Sequence, residues 1–573
     1  MYYKRFAAGL LLLAGCILSC KKEKVDYAYD NRPDTTVGGS SNIRLVNLTA
    51  NNQLSINGSP LTGYLVLNPP VGGGEPLYPG TYWFPANGKL GATFNIPRRF
   101  LTNGRALVST DYLAYQGVRD SIGFEVTETY SKPKDYYLLK GLPYTAGDAP
   151  RVVEVPRDVT APARAGYFKI RLVNMADQVA AGNNAENVAL PLTLAYADGT
   201  PVSPATTNVP ARSWSAYVEL PYGVYQFKVL TPSGTEVSAI PGNALEQTHL
   251  TDPATSTLVK PATGFPNAVS TGLTYEPVKT YQPGGVYSIA VGVTRMTAPY
   301  VYGTPGESFP FYQNAFRILP DITEPANVEY YRLQAVQADP DEGQVSFLVN
   351  GMKLGDAAYA AGTDYSVYVT GSAKVEAVNA AGIVIATTSQ TLLPGMNYTA
   401  WLYKTPEGKP AITLVSNNLS GAWYEDPGNV APDGTYTRLQ HDYPFHIRFL
   451  NLCADLPYVS FTLDNGQSVG SETGSRNLQP GVAATGLPYA RFSQVQEAYQ
   501  VLAYRSSPGV YPGTWLSTVP ALKSTDLVAK PEHYTRPVKP VHEPGVYTVA
   551  LIGQLNAGAA TKQAKMIIIK HTK

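Results

Sequence analysis

Apolar and polar residues alternate with a period of two in short runs along this chain, and the runs recur. Ile43-Arg44-Leu45-Val46-Asn47-Leu48 returns as Ile170-Arg171-Leu172-Val173-Asn174-Met175 and as Ile447-Arg448-Phe449-Leu450-Asn451-Leu452. A weaker copy, Tyr331-Arg332-Leu333-Gln334-Ala335-Val336, falls between them. Successive strand side chains point to opposite sides, so this period predicts strands covered on one face. A second strand follows each copy and runs into a tight turn: Leu54 to Gly58, Leu192 to Gly199, Val345 to Gly351 and Val459 to Gly466. The Asn-Gly and Asp-Gly pairs in these turns accept positive φ, which two-residue hairpin loops require.

A turn feeding an aromatic strand comes third, in Pro79-Gly80-Thr81-Tyr82, Tyr222-Gly223-Val224-Tyr225, Gly362-Thr363-Asp364-Tyr365 and Pro512-Gly513-Thr514-Trp515. A closing aromatic strand comes fourth, in Asp135-Tyr136-Tyr137, Gly285-Val286-Tyr287, Gly395-Met396-Asn397-Tyr398 and Gly545-Val546-Tyr547. Four elements in one order, met four times, predict a tandem array of similar domains. The expected units are residues 42–156, 167–293, 329–418 and 445–573, with a stretch around Pro85 to Lys132 that reads as an insertion in the first. Pro156 to Gly166, Thr294 to Val328 and Ser420 to Tyr443 read as linkers rich in Pro, Gly, Thr or Ala.

Composition agrees with an all-β chain of about four Ig-like or Greek-key β-sandwich domains. Charged residues are only 15%, while the chain carries 51 Gly, 47 Pro and 41 Tyr, the mixture expected of short strands joined by frequent turns. The formal net charge is +1, without a basic block beyond the start of the chain, which argues against nucleic acid as a partner. Of 3 cysteines, Cys453 alone lies outside the N-terminal region. An internal disulfide framework is therefore excluded, and Cys453 is expected to be a small buried hydrophobe.

The N-terminus changes the picture of where the chain works. Lys4 and Arg5 precede an apolar run from Phe6 to Leu18, Cys20 follows, and Lys21-Lys22-Glu23-Lys24 is abruptly charged. This is the pattern of an export signal, too short for a comfortable membrane span. It resembles the signal of bacterial lipoproteins, whose cysteine becomes the lipidated first residue. Cys20 sits where apolar character ends; Cys16, after Leu13-Ala14-Gly15, is the alternative with the cleaner lipobox. Residues 1–19 are then a lipoprotein signal peptide and 20–41 a polar tether, with the membrane as a partner through the lipid. The expected location is the bacterial cell envelope, as an outer-membrane lipoprotein facing the periplasm or the exterior.

The repeated strand motifs resemble the bacterial domain-of-unknown-function family 4397. That resemblance implies a β-sandwich and an envelope location, and it carries no catalytic residues.

Candidate chemistry is sparse. The histidines (His249, His441, His446, His533, His542 and His571) are scattered and lack metal-ligand spacing. No nucleophile elbow or phosphate loop is present, and Cys453 has no evident histidine partner. Asp339-Pro340-Asp341-Glu342-Gly343 could hold calcium through oxygens, but a solvated turn is the simpler reading. No catalytic residue, metal or cofactor is expected. Exposed aromatics could stack on sugars, and Trp423 with Tyr424 is the best placed pair, ahead of Tyr222, Trp214, Trp401 and Trp515. The expected function is a non-catalytic scaffold, adhesion or interaction module meeting envelope proteins. The alternative is a surface glycan-binding lipoprotein beside an outer-membrane importer.

Overall fold

The computed structural model describes residues 39–65, 80–85, 87–114, 117–139, 151–181, 184–239, 278–299, 308–417, 445–469, 474–485, 488–490, 499–528 and 545–573. The lipidation candidates Cys16 and Cys20 and the aromatic pair Trp423 and Tyr424 lie outside these residues. The described chain is all-β, with four sandwich units in tandem and only short 3-10 turns for helix.

Each unit is closed by its own first and last elements. The opening strands Ser40–Asn47, Tyr167–Met175, Tyr330–Gln337 and Phe445–Asn451 pair in parallel with the closing strands Lys134–Leu138, Val286–Pro299, Asn397–Lys404 and Gly545–Ile552. One further strand then returns antiparallel to each closing strand: Val152–Pro156, Ser308–Pro320, Pro410–Ser416 and Lys565–Lys570.

Units 1 and 3 share one topology throughout. In unit 3 the second sheet has Met352–Ala357, Val345–Val349, Gly371–Val378 and Val384–Leu392 side by side. In unit 1 the same positions are filled by Ser59–Pro60, Gln53–Ile56, Arg105–Ala114 and Gly117–Thr127. The stretch from Pro85 to Lys132 is therefore no insertion: it carries the edge strand Thr93–Pro97 and a regular hairpin of the sandwich.

Two expected hairpins form as two-residue turns with both φ positive, Asn57-Gly58 at 51° and 77° and Asn350-Gly351 at 50° and 79°. The Pro/Gly-aromatic motif, by contrast, is not one structural position. Tyr82 lies in a bend and is 83% exposed, while Trp515 ends a strand of the second sheet in unit 4. Proline and glycine mark a turn without saying which strand comes next.

Composition also misreads the end of unit 2. The closing strand continues past residue 293 to Pro299, and Ser308–Pro320 pairs with it from Tyr287↔Pro320 to Pro299↔Ser308. The stretch 294–328 is largely a long hairpin rather than a linker, and unit 2 ends at Pro320. A parallel contact between Glu236–Ala239 and Ser308–Pro320 merges its strands into one eight-stranded sheet.

The opening strands are not covered on one face only. Inward residues such as Ile43, Leu45, Phe168, Leu172, Leu333, Ile447 and Phe449 fill the cores of their own sandwiches. Their outward neighbours are buried too, because the units pack back to back in pairs. Val46, Leu48 and Tyr137 of unit 1 meet Val173, Met175 and Ala290 of unit 2. Val336, Trp401 and Val415 of unit 3 meet Leu450, Leu452 and Ala550 of unit 4. The pairs then join where Val224 and Val278 of unit 2 pack with Tyr489 and Val546 of unit 4 and Tyr365 of unit 3.

Candidate functional site

The back-to-back pairing buries one polar residue from each opening strand against one from its closing strand. Directly opposite in register stand Arg44 and Asp135, Arg171 and Ser288, Gln334 and Thr399, and Arg448 and Thr548. All four opening-strand residues are 5% exposed or less. The register also shows that the repeat arginine of unit 3 is replaced by Gln334. Arg332, which its sequence copy suggests as the equivalent, lies two residues earlier on the same face.

Between units 1 and 2 these positions form a charged cluster. Arg44 Nε and NH2 donate to the two oxygens of Asp135 at 2.8 and 2.7 Å, and NH2 also reaches Asp321 Oδ1 at 2.5 Å. Asp321 accepts from Ser288 Oγ at 2.6 Å and from the Tyr217 hydroxyl at 2.8 Å. Arg171 Nε donates to Ser288 Oγ at 2.8 Å, so one hydroxyl joins Arg171 to Asp321 on the unit 2 side, and Arg44, which also donates to the Pro320 carbonyl at 2.7 Å, carries the link to unit 1. Burial alone lowers the Arg44 pKa, but Asp135 and Asp321 outweigh it and hold the guanidinium charged well above its ordinary range. Arg157 at the rim goes the other way, with burial lowering its pKa by more than Asp135 restores.

Between units 3 and 4 the same positions are mostly neutral. Gln334 Nε2 donates to Thr399 Oγ1 at 3.0 Å and approaches His571 Nδ1 at 2.9 Å. Thr548 Oγ1 lies 2.7 Å from His571 Nε2. Burial, and then the charge of Arg448, push the His571 pKa down to about 3. A neutral imidazole that accepts at Nδ1 and donates from Nε2 to Thr548 satisfies these contacts. Arg448 donates to the Ser416 carbonyl and lies over the Tyr489 ring, 4.7 Å from its centroid.

A cavity of about 350 Å³ opens where units 2, 3 and 4 meet. Tyr196 and Tyr225 come to it from unit 2, Arg332 and Tyr365 from unit 3, and His571 and Thr572 from unit 4. Arg332 stacks on the Tyr365 ring at 4.4 Å from the centroid. Gly223 of unit 2 makes room for it, since a Cβ there would stand 2.6 Å from the guanidinium carbon.

The other residues singled out by sequence are mostly committed to structure. Trp401 is fully buried between units 3 and 4, and Tyr222 is buried with its hydroxyl donating to the Tyr330 carbonyl at 3.0 Å. Trp214 packs at the edge of the interface between units 1 and 2, and Trp515 is exposed at 53%. Cys453 is fully buried in the unit 4 core, where burial and then Asp455 raise its thiol pKa. The acidic turn is partly an ion-pair bridge: Asp341 takes both Lys404 of unit 3 and Lys562 of unit 4. Among the described residues no group of acidic, His or Cys side chains is placed to hold a metal ion. Sequence reasoning did not single out Arg332, Gln334 or Thr572, whose setting depends on contacts between units rather than on a local motif.

No family model matches the chain, and no curated protein does. Among solved structures 13 chains match. One is the Bacillus anthracis TIE protein, at 9% identity over 88% of this chain and 68% of that one, with a TM-score of 0.10. A score that low carries no argument about fold or function.

Proposed function

We propose that this chain is a non-catalytic, lipid-anchored protein of the bacterial cell envelope, held at the outer membrane and serving as a scaffold, adhesion or interaction module. The observation that carries this reading is the burial of both faces of the opening strands. Four sandwiches locked in pairs, and the pairs locked to each other, make one stiff frame that presents edges and loops outward. Loops on a rigid frame are where recognition concentrates. The buried ionisable groups Arg44, Asp135, Asp321 and His571 hold units together, which suits a structural role better than turnover. The apolar run ending at Cys20, and the motifs resembling domain-of-unknown-function family 4397, support the anchor and the envelope location.

Burial of Tyr222 and Trp401 favours this reading over sugar capture by those residues. The test has two arms. Labelling cells with an alkyne fatty acid should tag the wild-type protein and the Cys16→Ala variant but not Cys20→Ala. Label that survives loss of both cysteines would remove the anchor. Cross-linking in intact cells should then recover discrete envelope-protein partners. Saturable glycan binding, abolished by Trp423→Ala or Tyr424→Ala in a folded protein, would instead make it a sugar-capture lipoprotein.

A further inference from the structure

Arg332 is 4% exposed, yet among the described residues no carboxylate pairs with it. Among the described residues its guanidinium makes one hydrogen bond, to the neutral Asn397 Oδ1 at a stretched 3.5 Å. A buried guanidinium ordinarily finds a carboxylate or several carbonyls, as Arg44 does with Asp135 and Asp321. A second group in the same cavity is also unmatched. The hydroxyl of Thr572, which is 5% exposed, has no hydrogen-bond partner among the described residues. Arg332 and Thr572 both line the space between units 2, 3 and 4, and they come to it from different units.

The remaining charges around the cavity favour an anion. Lys570 and Lys573 line it together with Arg332, against one side-chain carboxylate, that of Asp364, and the main-chain carboxylate of Lys573, which accepts from the Gln226 backbone N–H at 2.8 Å. Asp364 is 88% exposed at its side chain and stands 3.5 Å from Lys573 Nζ, so it faces solvent rather than Arg332. Tyr196, Tyr225 and Tyr365 add ring surface for the body of a ligand. A volume of about 350 Å³ is at the small end of the range of small-molecule sites, about 300–1,000 Å³.

We propose that this junction binds a small molecule bearing a carboxylate or a phosphate, with the oxyanion on the Arg332 guanidinium. Bidentate recognition of such groups is what a guanidinium does best. The idea is independent of the lipid anchor and goes beyond a purely mechanical frame. Because three units supply the walls, occupancy also tightens the contact between the two pairs.

Unit 1 supplies the decisive variant. Asn397 stands directly opposite Arg332 on parallel strands, as Asp135 stands opposite Arg44. Asn397→Asp should therefore satisfy Arg332 from within and shut out an added anion without unfolding the protein. Calorimetric titration of the detergent-purified full chain would use sodium glucuronate, sodium phosphate and, at matched ionic strength, glucose with potassium chloride. Glucuronate or phosphate should bind saturably at one site, with Kd below about 1 mM, and glucose should not. Arg332→Gln should weaken binding at least tenfold. Asn397→Asp should abolish it while melting no lower than wild type. Preference for glucuronate assigns a carboxylate ligand, and preference for phosphate a phosphate ester. Failure of both anions to bind overturns the proposal, as does binding that survives unchanged in both variants.

Discussion

Arg44 and Asp135 lie directly opposite each other on parallel strands, and the guanidinium takes both carboxylate oxygens at 2.8 and 2.7 Å with essentially no solvent contact. Around them stand Arg157, Arg171 and Asp321, so Asp135 is one of two carboxylates among three cations. Removing its charge leaves buried positive charge uncompensated. Asp135→Asn should cost about 3–5 kcal/mol. Urea titration followed by circular dichroism should show the transition of units 1 and 2 moved to lower denaturant; an unchanged midpoint would mean that Asp321 alone suffices.

His571 makes the junction of units 3 and 4 sensitive to acid. Its folded pKa of about 3 lies below the ordinary imidazole value, so the unfolded chain takes up the proton first. Its contribution is present in full above about pH 6.5 and is lost as pH falls towards 3, at up to about 1.4 kcal/mol per pH unit. Thermal melts between pH 7 and pH 4 should show this slope in wild type and a flatter one in His571→Gln. Equal slopes would place the acid sensitivity elsewhere.

Trp401 is fully buried at the seam between units 3 and 4, and its indole nitrogen has no hydrogen-bond acceptor among the described residues. Its value is therefore packing alone. Trp401→Ala should cost about 3–5 kcal/mol, and Trp401→Phe less than half of that, because no hydrogen bond is lost. Comparing the two variants in denaturant titrations separates packing from polarity. A Phe variant as damaged as the Ala variant would contradict this account.

Gly481 of unit 4 touches unit 3 at the same seam. Its φ is +71°, and a Cβ there would overlap Tyr403, 2.1 Å from the hydroxyl oxygen and 2.2 Å from the ring carbon that bears it. Left-handed backbone costs a non-glycine residue about 1–2 kcal/mol before any clash is counted. Gly481→Ala should destabilise by at least that much, with Tyr403→Ala in the same chain, compared with Tyr403→Ala alone, recovering the steric share. Absence of any recovery would assign the whole effect to the backbone.

Much of the fold was legible because its signals are local. Asn57-Gly58 and Asn350-Gly351 announce two-residue turns through φ alone, and Tyr136 and Tyr398 mark closing strands by position in the repeat. What escaped was anything decided between distant segments. Alternation tells which residues share a face of a strand, but not what covers the other face. Arg44 and Arg171 therefore read as solvent-facing when they are buried between units. Ser308–Pro320 read as linker because its prolines sit in or beside a strand, where a single edge of hydrogen bonds tolerates them. Arg332 carried no warning at all. Its importance comes from a missing carboxylate on the neighbouring strand and from a glycine in another unit.

The return of a last strand beside the closing strand brings each unit's two ends to the same side of its sheet, as Pro156 opposite Lys134 and Lys134 opposite Ile43 illustrate in unit 1. A segment built this way can be copied within a gene and spliced in tandem without rerouting its neighbours. Yet a lone copy would show water an apolar sheet face that, in this molecule, always meets its twin. Growth of such a chain by duplication is therefore favoured in steps of two, and a descendant with an odd number of sandwiches would need a remodelled outer face on one of them.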